Sequence, residues 1–427
     1  MKRRLIIDMS DIWLYLARND RLTGIQRVVF QHTRQLLAQD DIEVHVGYYD
    51  PRYGYYAQLP TDGGLIGIAV LGEVERSKHI RPWRPEKYRS RPIAGLLHFV
   101  RTRFPPLLRR WRTAEKHRPR QFPFQKGDIV LSLGEGWVAS EMIRLVKPLV
   151  QSGDVTLFAM IHDMIPAKDI DGPPQTRDVA PFGHWLSEVT KTATALLVTS
   201  DSTHKDLATY LEASGTDGCI IAKTPLAHEF LPIPIGETTT DQSPDPRELY
   251  VLCVSSWGLP HKNIERLLDA WERLRSRLGA QALPRLMIAG GVSRDKLPVG
   301  PRDRLGDHLM TEVRPSDARL ESLYRNALFT VFPSIYEGWG LPIGESLWMG
   351  KFCVTSNTSS MPEVGGSLCD YFDPHDVDSM VAALERSIRD RDYLCQRAAQ
   401  IRNAELISWA EAAAGLRDTV MRVADGG

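Results

Sequence analysis

Apolar strand runs alternate with helical patterns along this chain, and the alternation breaks once, at a polar linker, before starting again. RLIIDMS (4–10), IEVHVGYY (42–49), DIVLSLG (128–134), VTLFAMIHD (155–163) and ALLVTS (195–200) each read as a buried strand followed by a loop or a helix. After the first of them, TGIQRVVFQHTRQLLAQ places Ile25, Val28, Val29, Leu36 and Leu37 at helical spacing, with Thr23 as the expected N-cap and Gly24 allowing close backbone approach. Near-continuous apolar strands between helices are the mark of a parallel sheet covered on both faces. LPIPIGETTTDQSPDPREL (231–249) then carries almost no apolar residue after Ile235. Beyond it the pattern resumes with LYVLCVSS (249–256), RLMIAGG (285–291), FTVFPS (329–334) and FCVTSN (352–357). The expected fold class is α/β: two doubly wound, Rossmann-like parallel-sheet domains facing a cleft, where ligands bind outside the carboxyl ends of strands. The expected boundaries are 1–235, 246–405 and a final helical segment, 406–427.

Composition sets further limits. A chain of 427 residues exceeds one ordinary core, and 43% hydrophobic with 25% charged residues is a globular balance. No apolar run approaches the ~18 residues of a spanning helix. MKRRLIIDMSD reads as a first strand, because its apolar run stops at Asp8. The cysteines at 219, 253, 353, 369 and 395 form no C-x-x-C pair, which argues for reduced thiols in a cytoplasmic protein rather than disulfides or a zinc site. The zero net charge hides an asymmetry: Arg76 to Lys126 holds 16 Lys/Arg against Glu86 and Glu115. This segment, within an insertion at about 60–126, interleaves Leu, Phe and Trp with arginines. It reads either as a surface for anionic membrane, through residues such as Arg109, Arg110 and Arg112, or as a solvated cap on the first domain. Nucleic acid is not the expected partner.

The densest chemistry lies in YEGWGLPIGESLWMG (336–350). Pro342 follows Gly338 and Gly340 at the start of a helical pattern. A helix N-terminus presents free N–H groups and partial positive charge, which suits phosphate. Glu345, about a turn in, suits a vicinal diol such as ribose. Glu337 can reach another hydroxylated ring across the phosphates. The plainer alternative is a capping Glu337 and a solvated Glu345.

PSIYEGWGLPIGESLWMG, followed by VTSNTSSMPEVGG and YFDP, resembles the C-terminal half of retaining glycosyltransferases of the family-4 type (glycosyl transferases group 1). Their hallmark is glutamate, seven residues, glutamate, here Glu337 and Glu345. The resemblance implies the GT-B fold, with the last helix, after Trp409, crossing back to the first domain. It implies that Glu337 touches the donor sugar and Glu345 the ribose, while backbone at Gly338, Trp339, Gly340 and Leu341 holds the diphosphate. Lys262 falls at the family's phosphate-binding loop. That loop usually reads Arg-Lys-Asn, whereas here it is His261, Lys262, Asn263, and Ser255 and Ser256 stand where some members have another arginine. The resemblance makes His162 a contact for donor hydroxyls, with Asp163 orienting it or meeting the acceptor. Gly24 matches the N-terminal glycine loop. Arg27 either faces the cleft or, as the favoured reading, is an ordinary helix-surface residue; Arg325 is expected to be structural, and Ser200 and Ser202 helix caps.

The implied reaction moves a sugar from a nucleotide-sugar donor, taken as GDP-mannose, to a saccharide or lipid-linked acceptor with retention of configuration. UDP-glucose and dTDP-rhamnose are alternative donors. No nucleophile is evident on the reacting face, so a same-face attack is expected. No metal or cofactor is expected; the D-x-D triplets at 169–171, 376–378 and 390–392 lie in turns or helix flanks. The expected place is the cytoplasm, peripheral on the inner membrane face. The competing functions are a nucleotide-sugar epimerase on the same scaffold, a retaining phosphorylase or synthase acting on a glucan, and a non-catalytic scaffold for a membrane complex.

Overall fold

The computed structural model describes residues 2–16, 19, 21–22, 24–59, 119–168, 170, 179–216, 218–233, 249–291 and 293–426. The basic insertion between residues 60 and 118, most of the linker, and Asp169 and Asp171 lie outside the described residues.

Strands β1 (Arg4–Asp8), β2 (Glu43–Asp50), β3 (Tyr55–Leu59), β4 (Asp128–Ser132), β5 (Val155–Ile161), β6 (Ala195–Val198) and β7 (Ile220–Lys223) form the N-terminal sheet. Its order is β3-β2-β1-β4-β5-β6-β7, parallel except for the β2–β3 pair. The C-terminal sheet contains β8 (Tyr250–Ser256), β9 (Arg285–Gly291), β10 (Leu309–Val313), β11 (Thr330–Phe332), β12 (Cys353–Ser356) and β13 (Cys369–Phe372). Its order is β10-β9-β8-β11-β12-β13, parallel throughout. Both sheets reverse their strand order beside their first strand, at β1/β4 and β8/β11. The four strands that the apolar runs do not reveal, β3, β7, β10 and β13, are the four sheet edges.

The helices that matter below are α1 (Ser10–Leu16), α2 (Ile25–Leu37), α3 (Glu141–Gln151), α4 (Val179–Val189), α5 (Asp201–Ala213), α6 (Ile264–Leu278), α7 (Val299–Leu305), α8 (Asp317–Asn326), α9 (Leu341–Trp348), α10 (Met361–Gly365), α11 (Val377–Arg389), α12 (Arg391–Arg402) and α13 (Trp409–Ala424). α6 shows how sequence makes one of them. Ile264, Leu267, Leu268, Trp271 and Leu274 recur every three or four residues, and all are 3% exposed or less. Each such side chain contributes about 1.5–3 kcal/mol on burial. The helix starts after Asn263, whose φ is 57°, and whose side-chain amide donates to Pro333 O (3.0 Å) and Pro374 O (2.8 Å). It ends at Gly279, whose φ of 77° no β-carbon favours. Asn263→Ala removes both side-chain bonds and strains the same backbone.

α13 follows the segment that leaves α12 and packs against α2, so the chain's tail returns to the N-terminal domain. Ser408 and Glu411 form a capping box at its start. Buried Trp409 donates its indole N–H to Glu229 O (2.9 Å) and meets His32 edge-on at 5.4 Å.

Candidate active site

In doubly wound sheets, loops at the strand-order reversal splay apart and leave a crevice. Here the two domains meet where the loop after β5 approaches the loop after β11, at His162 and Gly338, and where α2 meets α8, at Arg27 and Asp317. The residues singled out above follow β1 (Gly24), β5 (His162, Asp163), β8 (Lys262) and β11 (Glu337 to Glu345).

On the C-terminal side, the loop after β11 is held by hydroxyls. Thr358 donates to Ile335 O (2.7 Å), Ser359 to Glu337 O (2.7 Å), and Ser360 to Glu337 O (2.9 Å) and Trp339 O (2.7 Å). Ile335 N donates to His261 O (2.7 Å), which ties this loop to that of Lys262. Lys262 Nζ then donates to Glu337 Oε1 at 2.7 Å, with the two side chains 20% and 12% exposed. Gly340 opens α9 with φ 107°, and Pro342 sits in its first turn, as the sequence indicates. Among the described residues, none accepts a hydrogen bond from the backbone N–H of Gly338, Trp339, Gly340 or Leu341. The indole N–H of Trp339 is also buried without a partner among them.

Glu345 is 7% exposed, and its Oε2 accepts from Tyr324 Oη at 2.9 Å. Burial pushes its carboxyl upward, against the pull of the nearby Arg27 guanidinium. Arg27 takes the cleft-facing of its two readings, not the favoured surface one. It is 8% exposed, reaches across the cleft to pair with Asp317, and lies 5.6 Å from the Phe230 ring centroid. Asp317 also accepts from Ile233 N at 2.8 Å. A helical wheel cannot show this, because the burying partner comes from the other domain.

On the N-terminal side, His162 is 8% exposed and its Nε2 lies 2.7 Å from Leu133 O. A carbonyl accepts only, so Nε2 carries the proton. Burial lowers the imidazole to about 4, so at neutral pH the ring is uncharged and Nδ1 keeps its lone pair. Leu133, not Asp163, orients the ring. Asp163 instead accepts from Ile165 N at 2.9 Å. Its carboxyl is raised to about 6, first by burial and then by the charge of Glu337, against Lys262. Glu337, Lys262 and Asp163 therefore share one electrostatic site built from both domains.

Gly24, rather than Thr23, occupies the N-cap position of α2; Thr23 lies outside the described residues. With φ 52°, its conformation favours glycine, and a β-carbon there would meet nothing within 4 Å. Gly338 is the opposite case: a β-carbon would lie 1.7 Å from His162 O, so only glycine lets the two domains meet.

Sequence reasoning missed several participants. Asp11, 4% exposed, accepts from Ile12 N (2.6 Å) and Glu135 N (3.2 Å) and is raised to about 7, chiefly by burial. Asp8, also buried, is raised to about 6 by the same cause. The hydroxyl run Thr358–Ser360 and Tyr324 read as turn and core residues in one dimension. Ser200 caps α5 by accepting from Thr203 N (3.1 Å), as expected, but Ser202 does not cap. Arg325 pairs with Glu321 one turn back on the exposed face of α8. Asp376 and Asp390, from two of the D-x-D triplets, cap α11 and α12. Among the described residues no group of three or more His, Cys, Asp or Glu side chains is placed to hold a metal ion, and no helix is long and apolar enough to cross a membrane.

Residues 248–390 match the family model described as Glycosyl transferases group 1. The chain is 27% identical over 263 residues to the serotype-specific mannosyltransferase WbdA of Escherichia coli, covering 59% of this chain and 32% of that protein. It is 45% identical over 74 residues to the O-antigen chain mannosyltransferase B of Escherichia coli, covering 17% of this chain and 19% of the relative. The chain thus spans about a third or less of the length of these relatives. Its fold superposes on the sucrose-phosphate synthase of Thermosynechococcus elongatus with a TM-score of 0.60 at 15% identity, covering 100% of both chains. Residues 248–390 are thus similar to the glycosyl transferases group 1 family, and the chain carries them in the GT-B fold of two facing α/β domains.

Proposed function

We propose that this protein is a hexosyltransferase that moves mannose from GDP-mannose to a hydroxyl of a saccharide or lipid-linked acceptor, with retention and without metal, in cell-surface polysaccharide synthesis. The observation that carries this reading is the Lys262–Glu337 pair (2.7 Å) beside the amide end of α9. A cation, free N–H groups and a carboxylate within one loop cluster match a diphosphate joined to a sugar. As the leaving diphosphate gains charge, Lys262, the start of α9 at Leu341 and the Gly24 loop stabilise it. Glu345 takes the ribose and Glu337 the sugar hydroxyls. Neutral His162 offers Nδ1 as an acceptor to a donor-sugar hydroxyl, and Asp163 lies close enough to Glu337 to face the same ring.

No carboxylate is proposed as a nucleophile. The departing phosphate takes the acceptor's proton as the new bond forms on the face that the phosphate leaves. An Asp163 variant that accumulates a glycosyl adduct on the protein would refute this. Mannose is favoured by the two relatives named as mannosyltransferases. The basic segment 76–126 is proposed to lie on anionic membrane, which makes the protein peripheral on the cytoplasmic face. Neutralising Arg109, Arg110 and Arg112 should weaken its binding to anionic vesicles.

The deciding experiment is a panel of GDP-mannose, UDP-glucose and dTDP-rhamnose, read by thermal shift and then by transfer to acceptor in the presence of a chelator. Preferential stabilisation by GDP-mannose with chelator-insensitive transfer is expected. Interconversion of free nucleotide sugars without acceptor would assign an epimerase, and no binding at all would assign a scaffold.

A further inference from the structure

Glu337 is held within its own domain, but both its sequence neighbours are held from the opposite one. Tyr336 Oη donates to Asp206 Oδ2 on α5 at 2.6 Å. Lys168 donates to the other oxygen of that carboxylate at 2.6 Å and lies 4.9 Å from the Tyr336 ring centroid. Thr199, just before α5, donates its hydroxyl to Gly338 O at 2.8 Å. The start of α5 is seated as well. Glu363 on α10 accepts from the backbone N–H of Asp201 (2.7 Å) and Ser202 (2.9 Å), where an anion is favoured by the helix's orphan donors. Asp206 on α5 and Thr199 just before it thereby hold the Tyr336 side chain and the Gly338 carbonyl, on either side of the carboxylate.

We propose that Thr199 and Asp206 are positioning residues for Glu337: they fix the loop around it from across the cleft, so the carboxylate is aimed only when the domains are closed. The proposal rests on the reading of Glu337 as a donor-sugar contact. Lys262–Glu337 and Glu345–Tyr324 lie within the C-terminal domain and do not need α5. Loss of the α5 grip should therefore spare nucleotide binding and slow the transfer step. The Tyr336 bond is charge-assisted and its acceptor is balanced by Lys168, so losing the hydroxyl, or the carboxylate's charge, acts on the same interaction.

The test compares Asp206→Asn, Tyr336→Phe, their double variant, Thr199→Val and Thr199→Ser for nucleotide affinity, donor KM, kcat and melting. kcat should fall about tenfold or more in the single variants, as for a misaligned reacting group, with nucleotide affinity and KM within about twofold of wild type. The double variant should be no slower than its worse parent, because both changes act on one bond. Thr199→Ser, which keeps the hydroxyl, should restore the rate. Unchanged kcat, additive losses, or a Thr199→Ser variant as slow as Thr199→Val would overturn the proposal. If Asp206→Asn melts early, Tyr336→Phe and the Thr199 pair carry the test. A wild-type chain that transfers no sugar overturns the functional reading instead. The grip is then read from fluorophores on the two domains: their separation should lengthen in Tyr336→Phe and Thr199→Val, and equal separation in variant and wild type would refute it.

Discussion

The two sheets share one strand order, yet their facing edges handle charge in opposite ways. At the ends of β8 and β11 the polar groups are partnered: Lys262 pairs with Glu337, and Glu345 accepts from Tyr324 with the Arg27 guanidinium nearby. At the ends of β1 and β5, Asp8, Asp11 and His162 are buried and Asp163 is partly so, and none of the four has an ion-pair partner among the described residues. Burial raises Asp8, Asp11 and Asp163 to about 6, 7 and 6, and lowers His162 to about 4. The contrast follows from what each side is proposed to hold. A diphosphate exchanges for a carboxylate at a cation with little change in local charge. Hydroxyls need neutral donors and acceptors, which desolvation provides.

The largest expected effect comes from the glycines that sit on each side of the cleft. Gly338→Ala places a β-carbon against the His162 carbonyl, so it should push the domains apart and cut transfer about 100-fold or more. Gly24→Ala has open space and should cost only about 1–2 kcal/mol of backbone strain. Steady-state kinetics with melting curves compare the two; equal losses would erase the distinction between a contact glycine and a conformational one.

Next come the paired charges. Lys262→Ala leaves Glu337 without its cation and should weaken nucleotide binding by about 2–3 kcal/mol, the scale of a charged hydrogen bond. Glu337→Gln should lower kcat far more than nucleotide affinity. Calorimetric titration with the nucleoside diphosphate separates them, and similar affinity losses in both would contradict the assigned roles.

On the N-terminal side the expected signature is pH dependence. Asp11 has a folded-state value of about 7 against 3.8 as its ordinary value. Its stabilising contribution is therefore complete below about 3.8 and is lost as pH rises through 7, where the fold must ionise a buried carboxyl. Asp11→Asn cannot ionise, so the melting gap between wild type and variant should narrow by a few degrees from pH 5 to pH 8. A constant gap would show that Asp11 titrates normally.

The smallest effect has the opposite sign. His32 is fully buried, neither ring nitrogen has a partner among the described residues, and burial lowers it to about 3. Its stability contribution is present above about 6.5 and is lost as pH falls toward 3. His32→Leu should gain about 1 kcal/mol by removing an unpaired polar group, and the gain should grow between pH 7 and pH 5. Melting curves at both pH values decide it; a gain that shrinks on acidification would mean that the ring is bonded.

Much of this molecule is legible in one dimension. The central strands are continuous apolar runs because both faces are covered, and Glu337, Gly340, Pro342 and Glu345 announce a glycine loop entering a helix. At the edges burial is uneven: β7 has Ile220 45% exposed, so no buried apolar run is required there, whereas β3 is largely buried but reads YYAQL, too short and mixed to stand out. Arg27 could be read either way, with the surface favoured, because its own helix gives no reason to bury it. Gly338 looked like a phosphate-loop glycine, although the contact that excludes a side chain there is a carbonyl 176 positions earlier in the chain.

The sequence by itself determined the doubly wound pairs of sheet and helix and the residue types around α9, since both depend on hydrophobic period and backbone freedom within a short window. Only the tertiary structure decided which groups are charged, which glycine is a contact and which helix grips the Glu337 loop. Those properties depend on desolvation and close approach between segments far apart in the chain, and neither quantity exists until the two domains face each other.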